Sequence, residues 1–127
     1  MTEEQIPGFE FEEGLYAPPV DVQRLGAAYP VSIGRRSVND LVLHHSSVSG
    51  IHARLELVDE GMDRVWYIHD LGSTNGTRVD GEPVTRHRLS SGDLVQLGDV
   101  GLRFGLLPFE GWEESRRNYL ATALPWP

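Results

Sequence analysis

Turn-forming clusters punctuate this chain at intervals of about eight to twelve residues, with short apolar or alternating runs between them. The turns are Gly26-Ala27-Ala28, Gly34-Arg35-Arg36, the polar stretch 44–50, the segment 59–64 with Gly61, the stretch 70–77, Asp80-Gly81 and Ser91-Gly92-Asp93. The runs between them are 20–25, 29–33, 41–43, 52–58, 65–68, 77–79, 94–97 and 102–104. The clearest is 52–58, where Ala53, Leu55 and Leu57 alternate with His52, Arg54 and Glu56 in the pattern of a half-buried strand. No helical periodicity interrupts this rhythm before residue 110. Short strands joined by frequent turns cannot bury an apolar face alone, so the pattern predicts an all-β sandwich or barrel.

The densest turn is Asp70-Leu71-Gly72-Ser73-Thr74-Asn75-Gly76-Thr77. Asn-Gly is the strongest short hairpin signal, because both residues tolerate positive φ and the turn matches the twist of its flanking strands. The expectation is a hairpin tip presenting the hydroxyls of Ser73 and Thr74 and the amide of Asn75.

The two ends differ from the middle. Residues 1–14 carry Glu3, Glu4, Glu10, Glu12 and Glu13 without a single arginine, and they read as an acidic flexible arm ahead of a sandwich over 15–106. In the extension 107–127, Trp112, Ser115, Tyr119, Leu120, Ala123 and Leu124 fall near one face at helical spacing, and Pro125 stops the run. This predicts a short C-terminal helix that caps the open end of the sandwich, with Glu113 and Arg117 paired on its surface.

Charge narrows the function. The formal net charge is −8, and every cation is an arginine. No basic stripe exists for nucleic-acid binding, which depends on counterion release from phosphates. The chain has no cysteine, so no disulfide framework or thiol nucleophile is available. No run approaches membrane-spanning length, and Met1-Thr2-Glu3-Glu4 lacks signal-peptide character, which predicts a soluble, cytoplasmic chain. Paired catalytic carboxylates, a nucleophile elbow and a P-loop are all missing, so an enzyme is not expected. His44, His45 and His52 have no metal-ligand spacing, and no metal or other cofactor is expected.

Three loops at strand ends carry the remaining chemistry: Gly34-Arg35, Ser49-Gly50-Ile51-His52 and Ser73-Thr74-Asn75-Gly76. With Asn39-Asp40-Leu41-Val42-Leu43 and Val48 between them, and Val79 and Gly81 after, their order resembles the forkhead-associated (FHA) domain. The resemblance covers residues 29–104 and implies a two-sheet twisted β-sandwich whose apical loops bind a phosphothreonine peptide. It also implies weaker binding of phosphoserine. A phosphothreonine brings about −1.5 to −2 charges and three acceptor oxygens, which call for a bidentate cation and several neutral donors. Arg35 supplies the fork, Ser49 and Thr74 supply hydroxyls, and by the resemblance Asn75 grips the peptide backbone. Gly34 and Gly76 read as backbone devices, His52 as a brace for the Ser49 loop, and Arg36 as a solvated neighbour.

Gly50 is counted with Arg35, Ser49, Thr74 and Asn75 among the expected phosphopeptide-binding residues, yet it departs from the family pattern, which commonly places a basic residue after the motif serine. His45 in the same loop is the candidate substitute, and uncharged Ser47 stands where the family often reads the third residue beyond the phosphothreonine. The expected partner is a threonine-phosphorylated protein, the product of a Ser/Thr kinase. Thr2, if phosphorylated, is a candidate ligand from the chain's own arm, for the domain's own site or a neighbour's. The alternative is a phosphate-independent scaffold that uses its sheet faces or C-terminal helix.

Overall fold

The computed structural model describes residues 4–123. In chain order they form β1 (Ile6–Glu13), β2 (Val20–Asp21), one helical turn α1 (Val22–Leu25), β3 (Val31–Gly34), β4 (Leu41–Val42), β5 (Ala53–Glu60), β6 (Asp63–Asp70), β7 (Thr77–Val79), β8 (Glu82–Val84), β9 (Arg86–Leu89), β10 (Leu94–Leu97), β11 (Val100–Leu107) and α2 (Phe109–Ala123). One sheet has the order β2-β1-β11-β10-β7-β8 and the other β4-β3-β5-β6-β9. Only β3 and β4 run parallel. The all-β sandwich is therefore present, with α2 as its C-terminal helix. No helix among the described residues is long and apolar enough to cross a membrane.

The core lies between the sheets and follows the period-two alternation of the strands. Val31, Ile33, Leu55 and Ile68 from one sheet meet Phe9, Val95, Leu97, Leu102 and Phe104 from the other, and all are buried. Phe9 and Phe104 pair across β1 and β11, and their rings pack edge-on at 5.7 Å between centroids. Such a pair contributes about 0.5–1.5 kcal/mol beyond its buried area.

The N-terminal segment is not a flexible arm over its described length. Residues 6–13 form β1, registered on β11 from Ile6 opposite Leu107 to Glu13 opposite Gly101. Phe9 and Phe11 turn toward the core while Glu12 pairs with Arg103 at 2.6 Å, so the acidic residues line a strand. The sandwich therefore begins at Ile6. Residues 20–25 also differ from expectation. Only Val20–Asp21 pairs as a strand, because Asp21 then caps a helical turn by accepting the Arg24 N–H at 3.0 Å.

The helix α2 lies on the outer face of the larger sheet, not over an open end. Phe9 and Phe104 face inward, so the neighbouring pair Gly8 and Gly105 faces outward, and there the Trp112 indole sits. A β-carbon on Gly8 would stand 2.5 Å from Trp112 Cζ2, so only glycine admits the ring. Trp112 is fully buried and its Nε1 donates to the Ile6 carbonyl at 2.7 Å. One turn further, Arg116 is buried against Asp21 at 2.8 Å and also pairs with Glu113, taking the role expected of Arg117. Leu124 and Pro125 lie outside the described residues.

The stretch around Asn75-Gly76 is not a hairpin. The strand before it, β6, belongs to the five-stranded sheet, and the strand after it, β7, belongs to the six-stranded sheet. This loop carries the chain from one sheet to the other. The signal is realised one turn later, where Asp80 (φ 50°) and Gly81 (φ 85°) close the β7–β8 hairpin.

Candidate functional site

The β3–β4, β4–β5 and β6–β7 connections converge at one end of the sandwich, and backbone hydrogen bonds lock them together. Beyond β3, Arg35 N–H donates to the Ser49 carbonyl at 3.0 Å and Arg36 N–H to the Gly50 carbonyl at 3.1 Å. Gly34 is required here by close approach, since a β-carbon on it would lie 2.4 Å from the Gly50 oxygen. Arg35 Nε donates to the Val48 carbonyl at 3.0 Å. That bond orients the guanidinium, and neither terminal nitrogen has a hydrogen-bond partner among the described residues.

Ser49 is held from two sides. Its N–H donates to His52 Nδ1 at 3.0 Å, and its Oγ accepts the Thr74 N–H at 2.9 Å. With its acceptor side engaged, the Ser49 hydroxyl keeps its hydrogen to donate outward. The network also assigns the His52 tautomer: Nδ1 accepts, so Nε2 carries the proton and donates to the Gly76 carbonyl at 3.0 Å. His52 is fully buried and braces the Ser49 loop against the β6–β7 connection. Burial pushes its pKa below the ordinary 6.5, although the Gly76 carbonyl and the Asp70 carboxylate 3.9 Å away act the other way.

The β6–β7 connection gets its rigidity from Asp70. This carboxylate accepts the N–H groups of Gly72 (3.0 Å) and Ser73 (3.1 Å) and the hydroxyls of Ser73 (2.5 Å) and Thr77 (2.8 Å). Burial opposes the charge, but the hydroxyls of Ser73 and Thr77 and the two amides outweigh it and hold the carboxyl below the usual range. Ser73 Oγ then accepts the Gly76 N–H at 3.0 Å, so Ser73 builds the loop from within. Thr74 and Asn75 stand exposed at its crest, and Gly76 takes φ 85°. Asn75 Nδ2 donates to the Ser47 carbonyl at 2.8 Å, which fixes the amide plane and leaves Oδ1 and one N–H outward.

Ser47 Oγ accepts the Asp99 N–H at 2.8 Å and lies 2.8 Å from His45 Nδ1, which also accepts the Ser47 N–H at 3.1 Å. Ser47 and His45 therefore hold each other, and the Ser47 hydroxyl ties the loop to the β10–β11 turn. Arg35, His44, His45 and Ser46 line a shallow depression beside the site. No cluster of metal-ligating side chains forms among the described residues. Thr2 lies outside them.

Two supporting residues escape sequence reasoning. Asn39 is buried, and its Nδ2 donates to the carbonyls of both Arg36 and Gly50 at 2.7 Å, clamping two loops with one amide. Nothing in the sequence marks that role. Asp70 does carry a signal, since an Asp followed by Gly and Ser is an Asx-turn former.

A family model for the FHA domain matches residues 31–98, the span from β3 to the end of β10. The chain belongs to the FHA family. Among curated relatives, this FHA domain is 42% identical over 74 residues to the FHA domain-containing protein FhaB of Mycobacterium tuberculosis, covering 58% of this chain and 45% of that one. It is 37% identical over 83 residues to the glycogen accumulation regulator GarA of the same species, covering 65% of this chain and 49% of that one. The chain thus spans about half the length of the curated relatives it matches. A solved FHA domain from a study of phosphothreonine-dependent FHA interactions superposes with a TM-score of 0.63 at 25% identity, over 82% of this chain and 99% of that one.

Proposed function

We propose that Arg35, Ser49, Thr74 and Asn75 are the residues with which this FHA domain reads a phosphothreonine peptide. As a member of its family the chain is a phosphothreonine-binding module, and the four residues supply the chemistry that module needs. The carrying observation is that the Thr74 N–H on Ser49 Oγ joins two loops at one point, beside the Arg35 backbone bonded to the Ser49 carbonyl. The terminal nitrogens of Arg35 fork onto two phosphate oxygens, and the hydroxyls of Ser49 and Thr74 donate to the others. Asn75, held by Ser47, presents its free amide groups to the peptide main chain. Gly34, His52 and Gly76 position these groups without touching the ligand.

The partner is a protein phosphorylated on threonine by a Ser/Thr kinase, and the domain acts on it by binding rather than by catalysis. A cytoplasmic setting fits a chain with no cysteine. The test is a titration with one peptide pool, degenerate around a fixed central residue, prepared with phosphothreonine, phosphoserine or unmodified threonine. The order expected is phosphothreonine above phosphoserine above threonine. Arg35→Ala should lose about tenfold or more for the phosphothreonine pool, the equivalent of a charged hydrogen bond. A natural partner whose capture survives phosphatase treatment would move the reading to a sheet-face scaffold.

A further inference from the structure

The place beside Gly50 is occupied. A β-carbon built on Gly50 would lie 2.7 Å from Arg36 Nε and 3.1 Å from Arg36 Cδ and Cγ. Gly50 is not among the glycines with positive φ, so its backbone does not require glycine. A side chain there would have to displace the Arg36 side chain from its present course. The start of the Arg36 side chain is also fixed relative to the Ser49 loop, because Arg36 N–H bonds the Gly50 carbonyl and Asn39 ties the carbonyls of both residues.

The charge on the expected ligand gives this arrangement a purpose. A phosphothreonine carries about −1.5 to −2 charges, and Arg35 with two neutral hydroxyls answers only part of them. His45 is engaged with Ser47. Arg54, Arg86, Arg88, Arg103 and Arg116 each pair with a carboxylate, whereas no such pair involves Arg36 among the described residues. Arg36 is therefore exposed and uncommitted, one residue from Arg35 and with its side chain over the residue that follows Ser49.

We infer that Arg36 is the second cation of the phosphate site, filling from the β3–β4 loop the place that a basic side chain at position 50 would otherwise fill. Gly50 is the cavity that admits it. This rests on the phosphothreonine-reading function above, and the variants are chosen to separate the two.

The experiment is a fluorescence-polarisation titration of the full chain with the labelled phosphothreonine pool and its unmodified counterpart, with thermal unfolding measured in parallel. Arg36→Ala should weaken phosphothreonine binding by about tenfold or more, with no change in Tm or in binding of the unmodified pool. Gly50→Ala should weaken it too, by displacing the Arg36 side chain. The double variant Arg36→Ala/Gly50→Arg should recover most of the loss, because it returns a cation to the same place from the other loop. An Arg36→Ala affinity within about twofold of the parent, with Arg35→Ala losing tenfold, would overturn the second cation and leave the phosphate reading standing. If neither Arg35→Ala nor removal of the phosphate changed binding, both would fall.

Discussion

Ser49 Oγ accepts the backbone N–H of Thr74 at 2.9 Å, so one hydroxyl joins the loop before β5 to the crossover before β7. Ser49→Ala removes that acceptor and the outward hydroxyl donor together. Denaturant unfolding should report a loss of about 1 kcal/mol, the worth of an ordinary hydrogen bond. Phosphothreonine-peptide affinity should fall further than that stability loss accounts for, and Ser49→Thr should restore part of it.

Asp70 accepts four hydrogen bonds and touches no predicted ligand. In Asp70→Asn the charge is gone and one acceptor oxygen becomes a donor facing other donors. A stability loss of about 1.5–3 kcal/mol is expected by denaturant titration. Backbone amide exchange at residues 72–77 should accelerate more than exchange in the β5–β6 hairpin.

Trp112 makes α2 part of the core rather than an appendage. Trp112→Ala empties the space over Gly8 and Gly105 and leaves the Ile6 carbonyl without its donor. The expected cost is about 3–5 kcal/mol, a large share of the stability of a domain this size. Thermal unfolding of that variant should show β1 and α2 lost together with the sandwich in one transition.

His52 sets an acid limit. Its pKa is depressed in the folded state, so below the ordinary value of 6.5 the unfolded chain binds a proton that the folded chain resists. Stability from this residue is intact above that value and falls as the pH drops below it. The Asp70 carboxyl, also depressed, withdraws its contribution only below its ordinary value of 3.8. Tm measured from pH 7 to pH 5 should therefore decline, with a shallower slope in His52→Gln.

The course of β1 limits any role for Thr2. Glu13 and Gly14 lie at the site end, where a β-carbon on Gly14 would stand 2.5 Å from the Asp99 oxygen, and Ile6 lies at the other end opposite Leu107. The seven residue steps from Ile6 to Glu13 span about 23 Å, whereas the four from Thr2 to Ile6 reach at most about 14 Å. While β1 stays paired, that reach is too short for a phosphorylated Thr2 to fill its own site, so the binding to test is that to a second copy. Sedimentation of a Thr2-phosphorylated chain should show concentration-dependent association, abolished by Arg35→Ala.

The sandwich and the order of its loops were legible because both rest on local chemistry. Period-two alternation marks residues 53–57, and Gly, Asn and Asp mark the turns. Partnership was not legible. The Asn75-Gly76 signal specifies a reversal, but whether the next strand pairs with its predecessor depends on β10, which offers β7 its edge from the other sheet. The acidic residues of β1 masked the alternation of Phe9 and Phe11 with Glu10 and Glu12, because the compensating Arg103 lies far along the chain. Within the site, Arg35, Ser49 and Thr74 stood out as residue types suited to phosphate. Arg36 did not, since the role proposed for it rests on a side chain that Gly50 lacks. Asn39 did not either, since an amide reveals its partners only when two loops are already folded around it.

The crossover of the chain between sheets at residues 71–76 gives the site an uneven footing. Arg35 and Ser49 are rooted on strands of the five-stranded sheet, while Thr74 and Asn75 lead into β7 of the six-stranded one. A phosphopeptide gripped by both sets, as proposed, would act as a staple across the seam, resisting the sliding of one layer over the other. Occupancy should then register in the melting of the entire sandwich, by about 2.7 kcal/mol at a hundredfold excess over Kd. Unlabelled phosphopeptides can be ranked by heat alone.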